Sequence, residues 1–219
     1  MDPITFGYTL FEVCFEHFIH FIQKIMTIKK SISILFLCLC SMWLLAQEHA
    51  HAELLKTPEN WEKEVFEFPL SFAQDIPYSG YEEARFPVGW GKQDSSMFWT
   101  YAFAWHIDVS KPISAHDLEI NLQHYFDGLM RLRSPEDAPG TFHSTALFLP
   151  QKTSRFIGKV KTVDQFFTKK SMLLYATVDV RYCKNKKQAL LVFRFSPQAF
   201  DSSVWKRLEQ VKLLPGGCP

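Results

Sequence analysis

From Met97 to Val109 the chain alternates strictly. Met97, Trp99, Tyr101, Phe103, Trp105, Ile107 and Val109 fall on one side, and Phe98, Thr100, Ala102, Ala104, His106 and Asp108 on the other. A period of two with bulky residues on one side predicts a strand over 97–109 with a buried face. The small residues opposite leave room for a helix to approach closely. At Ser114 the period changes. Leu118, Leu122, Tyr125, Phe126, Leu129 and Leu132 recur at helical spacing. Ser114 followed by Asp117 is an N-cap signature, and Ile113 is placed to staple onto Leu118. Ser134-Pro135 ends the run. The predicted helix has about 19 residues and a length of about 28 Å at 1.5 Å per residue.

Beyond Gly140 the period returns to two in four runs, at about 141–149, 155–166, 172–183 and 187–196. Lys169-Lys170 and Lys184-Asn185-Lys186 fall at intervening turns, which predicts a hairpin meander. A short helix starting at Asp201 or Ser202 carries Val204, Trp205 and Leu208. Nearer the amino terminus the pattern weakens. Residues 53–64 read as a loosely held arm, and Val65–Phe68 as a short strand ended by Pro69. Residues 69–82 read as loop, and Glu83–Val88 as an extended piece running into the turn Gly89–Lys92. This order predicts an α+β fold: a curved antiparallel sheet packed on one long helix, closed by a short C-terminal helix.

Residues 32–46 form an apolar run of about 15 residues, short of the roughly 20 that a membrane span needs. Lys29 and Lys30 precede it, and Ala50-His51-Ala52 follows after a short polar stretch. A basic start, an apolar middle and small residues at −3 and −1 make a secretory signal, with cleavage expected between Ala52 and Glu53. The expected organisation is a signal over 26–52 and a single mature domain over 53–219. Residues 1–25 read as an extension or a start-site artefact ahead of Met26. The expected location is periplasmic or extracellular. Of five cysteines, Cys14, Cys38 and Cys40 lie in or before the leader, and the mature domain keeps Cys183 and Cys218. A remaining pair in an exported chain predicts one disulfide. It would close a loop that stabilises the fold by about 3–4 kcal/mol in the chain-entropy model.

Aromatic residues make up 16 % of the 219 residues, with 21 Phe, enough to fill a sizeable core. The net charge of +1 hides a segregation: residues 53–140 carry roughly −8 and residues 141–219 roughly +10. Lys169, Lys170, Lys184 and Lys186 are candidate binding residues in the basic half, together with side chains such as Arg155, Lys159 and Arg194. Such a surface attracts an anionic envelope polymer, a lipid surface or another exported protein. The competing view is a solvated sheet face with edge lysines that discourage strand pairing. No nucleic-acid partner is expected.

Catalytic patterns are sparse. No Gly-x-Ser-x-Gly, Ser-x-x-Lys or phosphate-loop motif is present. His106 and Asp108 share a strand face and are the candidate catalytic pair. Asp75, Glu82, Glu83 and Asp94 read as loop carboxylates with no spacing that singles out a pair. His116 and His124 lie on the polar arc of the predicted helix in no ligand pattern, so no metal site and no cofactor are expected. Among the clustered rings, Trp99, Tyr101 and Trp105 belong with the core, while Trp90 and Phe98 are candidates for exposure and stacking on a ligand. The sequence therefore predicts an exported, non-catalytic binding or interaction domain. The alternative is an extracytoplasmic hydrolase using a histidine and a carboxylate.

Overall fold

Leu190, Leu191, Val192, Phe193 and Phe195 follow one another with only Arg194 between them. A run this apolar marks a strand covered on both faces. In the computed structural model it is the central strand of a seven-stranded antiparallel sheet. The structure describes residues 51–58, 60–134, 143–152, 154–184, 187–216 and 218. One compact unit comprises residues 52–219.

The elements are β1 (Leu55–Lys56), β2 (Glu62–Phe68), β3 (Gly80–Phe86), β4 (Tyr101–Asp108), α1 (Ala115–Arg131), β5 (Thr145–Lys152), β6 (Arg155–Val163), β7 (Ser171–Tyr182), β8 (Gln188–Ser196), α2 (Ser203–Leu208) and β9 (Lys212–Leu213). The sheet order is β2-β3-β4-β8-β7-β6-β5, and β1 pairs with β9 in a separate two-stranded ladder. The fold is α+β, with an open antiparallel sheet, one long helix and a short C-terminal helix, as the periodicity predicts.

The two faces of β4 divide the molecule. Its odd positions join Leu118, Leu122, Tyr125 and Phe126 of α1 in the main core. Ala102 and Ala104 face the other way, into a second cluster with Val204, Trp205 and Leu208 of α2. The small residues thus admit a helix, and that helix is the C-terminal one. Arg194 fixes it there. This buried guanidinium donates to the carbonyls of Leu208 (3.0 Å) and Val211 (2.8 Å) and to Asp179 (2.6 Å). The capping box at α1 is formed, with Ser114 Oγ accepting from Asp117 N at 3.1 Å and Asp117 Oδ2 accepting from Ser114 N at 2.9 Å. Cys183 and Cys218 are disulfide-bonded, with Cα atoms 5.3 Å apart.

Several expectations are corrected. The strand expected over 97–109 begins only at Tyr101, because Met97–Trp99 wind through turns. The stretch 53–64 is not a loose arm. Leu54 and Leu55 are buried in the second cluster, and their backbone N–H groups donate to Glu83 at 2.7 and 3.2 Å. Glu82 and Glu83 are not loop residues but the buried middle of β3. Arg194 does not belong to a solvated basic face. The expected run 141–149 starts as a strand at Thr145, and residues 141–142 lie outside the described residues.

Candidate functional site

The register of the first three sheet strands sets Phe66 opposite Glu82, Glu82 opposite Trp105, and Ala84 opposite Phe103. These side chains all face α1. Near the carboxyl end of α1 they do not fill the space, and a cavity of about 510 Å³ remains. That volume lies within the range of small-molecule sites. Phe86 stacks on Tyr101 at 5.7 Å, and Trp90 lies 4.7 Å from Phe86. Trp90 meets Trp99 edge-on at 6.2 Å and Phe167 at 5.6 Å. On the helix side are Tyr125 and Leu129, with Phe72 edge-on to Tyr125 at 5.1 Å. Leu132, Arg133 and Glu64 complete the lining, and the Arg133 guanidinium sits over the Phe166 ring at 5.5 Å.

Three loops bring these rings together, and each has a local cause. The Asp164 carboxylate accepts from the N–H groups of Phe166 (2.9 Å), Phe167 (3.1 Å) and Thr168 (2.7 Å), and from the Thr168 hydroxyl (2.7 Å). Burial alone would raise its pKa, but these hydrogen bonds outweigh burial and hold it below the ordinary carboxylate value. Trp99 has φ of 51°, a left-handed conformation uncommon for a bulky residue, and its N–H donates to Trp90 O at 2.8 Å. Gly128 lets the Phe72 loop lie against α1. A Cβ there would come within 1.8 Å of Phe72 O.

Beneath the cavity is a buried polar group. Glu82 accepts from Trp105 Nε1–H at 2.7 Å and from Tyr125 O–H at 2.9 Å. Burial raises its pKa from 4.5 to about 7; the two hydrogen bonds oppose the rise, and nearby Glu64 adds to it. Burial, and then the Glu82 charge, push Tyr101 and Tyr125 well above 10, so both remain O–H donors at neutral pH. Trp99 and Tyr101 are only 2 % and 3 % exposed. Among the described residues, neither Trp99 Nε1 nor the Tyr101 hydroxyl has a hydrogen-bond partner.

Of the residues expected from sequence, Trp90 lines this cavity and is half-buried. Phe98 is half-buried beside it, 5.6 Å from Phe167. His106 and Asp108 lie on the opposite face of β4, where His106 packs edge-on to Tyr81 at 5.4 Å and Asp108 accepts from Gln188 at 3.0 Å. They do not line the cavity. Lys169 donates to Gln165 O and Arg133 O, close to its mouth. Lys169 and Lys170 precede β7 whereas Lys184 follows it. The 12-residue strand between them spans about 40 Å at about 3.3 Å per residue, so Lys169 and Lys170 lie at the opposite end of it from Lys184. Lys186 lies outside the described residues. Ala52 O accepts from Tyr81 O–H at 2.8 Å, and Glu53 pairs with Arg85. Sequence reasoning placed Glu82 on a loop, without singling it out, and missed Asp164, Phe166 and Phe167. The one local signal was Asp164 itself, a residue type whose side chain bonds the backbone two positions on.

Comparisons with protein-family models, with curated proteins and with solved structures give no match for this chain.

Proposed function

We propose that the chain is exported and cleaved, and that its mature domain is a non-catalytic binding module. On this reading it takes a small, flat, largely apolar ligand in the aromatic cavity. The observation that carries the reading is the cavity itself: half-buried rings from two strands and three loops surround open space instead of closing on one another. Rings with exposed faces suit a flat apolar partner, because each aromatic side chain offers a large area at little conformational cost. Concave, apolar sites with few polar groups are the usual form of a small-molecule site. Export is supported by the basic, apolar and small-residue order of residues 29–52 and by the Cys183–Cys218 disulfide. Among the described residues no helix is long and apolar enough to cross a membrane.

The test uses N-phenyl-1-naphthylamine, a neutral dye that brightens when it leaves water. The mature domain should bind it saturably with one site. Trp90→Ala removes one half-buried wall and should weaken binding about tenfold, while thermal unfolding stays cooperative. Unsaturable uptake, or binding indifferent to Trp90→Ala, contradicts the reading.

A further inference from the structure

β5 is the outermost strand of the sheet at the end opposite β2. Its outward-facing backbone is already blocked. Phe148 N–H donates to the Glu119 carboxylate of α1 at 2.9 Å, and Pro150, two positions on, has no N–H to offer. The edge is therefore a poor template for another strand. The broad face beside it is different. The register sets Leu147 opposite Lys159, Leu149 opposite Ile157, and Leu173 opposite Lys161. Side chains directly opposite share a face, and this is the face from which Arg194 reaches the carbonyls of Leu208 and Val211 beside α2. Leu147 and Leu149 are 62 % and 60 % exposed, and Leu173 is 41 % exposed. A single exposed leucine needs no explanation, but three gathered on one face of three adjacent strands mark an interaction surface.

Charge decides what suits this face. β5 and β6 contain no Asp or Glu, and Lys159 and Lys161 are exposed among the leucines. Lys159 Nζ rests over the Tyr175 ring at 4.8 Å, a contact that holds the ammonium on the face without cancelling its charge. The carboxylates at the border are engaged within the fold: Asp179 pairs with Arg155 and Arg194, and Glu209 pairs with Arg155. Asp201 lines the groove beside α2 together with Lys206. We infer that this face docks on an anionic lipid bilayer. Leu147, Leu149 and Leu173 enter the boundary between headgroups and acyl chains, while Lys159 and Lys161 meet the lipid phosphates. Apolar side chains gain by leaving water at that boundary, and each lysine beside them is drawn to the negative surface. A second copy of the chain fits less well, because two such faces brought together would set lysines against lysines. The aromatic cavity lies on the α1 side of the sheet, so the two readings stand or fall separately.

The experiment is co-sedimentation of the mature protein with two kinds of vesicle at 0.1 M salt: phosphatidylcholine alone, and an equal mixture of phosphatidylcholine and phosphatidylglycerol. The mature protein is used because the apolar run 32–46 would bind lipid by itself. It should bind the mixed vesicles at least about tenfold more tightly than the neutral ones. Leu147→Thr with Leu149→Thr keeps residues that suit a strand and removes two apolar side chains. This pair should weaken binding to the mixed vesicles at least about tenfold, with the thermal midpoint unchanged. Lys159→Gln with Lys161→Gln should weaken it by about tenfold and leave binding to neutral vesicles unaltered. Lys56→Gln with Lys63→Gln removes the same charge from β1 and β2 and should change binding less than about twofold. Equal binding to both vesicles, or none to either, overturns the inference. A leucine pair that binds like the parent also overturns it, and so does an equal loss in the β1 and β2 pair, which would make net charge the cause. Sedimentation equilibrium without lipid gives the last outcome. A dimer that the leucine substitutions abolish assigns the face to a second copy and overturns the lipid reading.

Discussion

Glu82 is a carboxyl group held where its charged form is disfavoured, and stability should record this. Its folded pKa, about 7, lies above the ordinary 4.5 because of burial. The folded state therefore binds the proton more tightly than the unfolded chain. The resulting stabilisation is full below pH 4.5 and is lost as pH rises through 7. Its size is about 3 kcal/mol at 1.36 kcal/mol per pKa unit. Glu82→Gln cannot titrate, and its one amide oxygen replaces one of the two carboxylate oxygens that accept from Trp105 and Tyr125, its NH2 taking the other position. Urea denaturation at several pH values should show this fall in the parent protein and its absence in the variant. A parent protein equally stable at pH 4.5 and 7.5 contradicts the assignment. The burial of Glu82 was not legible in the sequence. Gly80-Tyr-Glu-Glu-Ala-Arg-Phe looks polar, and the groups that satisfy Glu82 come from 23 and 43 residues away. Glu83 is hidden for the same reason, its partners being the backbone of Leu54 and Leu55 and the side chain of Arg85.

At the scale of elements, Gly128 sets local preference against packing. It sits inside α1, where alanine is intrinsically better by about 1 kcal/mol. A methyl group there collides with the backbone of Phe72, and overpacking of this kind costs about 1–3 kcal/mol. Gly128→Ala should therefore destabilise the domain and weaken dye binding together, because Phe72 lines the cavity. A more stable variant with unchanged binding would show that the Phe72 loop does not rest on the helix. The disulfide is the other element-scale constraint. Replacing Cys183 and Cys218 by serine should cost about 3–4 kcal/mol in denaturant unfolding. Two titratable thiols in the unreduced, denatured mature protein would show that no bond exists. α1, its cap and the meander β5–β8 were all legible, because period and capping are local signals. The span 97–100 was not. Alternation continues through it, but Trp99 reaches the inner side by a left-handed turn rather than along a strand. The 164–168 loop was missed because its order comes from one carboxylate bonding to backbone, which no hydrophobic pattern records.

At the scale of the whole molecule, part of the basic excess of the second half is taken up by contacts within the fold. Arg194 and Arg155 are engaged with Asp179, and Arg155 also with Glu209. Lys159 lies over the Tyr175 ring at 4.8 Å. Binding in the cavity should accordingly change little between 0.05 and 0.5 M salt, whereas attraction to a charged surface would be screened. Mass spectrometry of the exported protein should find Glu53 at its amino terminus, and a mature chain retaining residues 32–46 would refute the predicted leader. The central claim, that the aromatic cavity is the binding site, is tested most directly by the indole N–H resonances of the ¹⁵N-labelled domain during titration with 2-acetylnaphthalene. Trp90 and Trp99 line the cavity, while Trp61 and Trp205 lie in the cluster on the far side of the sheet. Saturable shifts at Trp90 and Trp99, with Trp61 and Trp205 unmoved, are the predicted result. Shifts at Trp61 and Trp205 with Trp90 and Trp99 unmoved would contradict it.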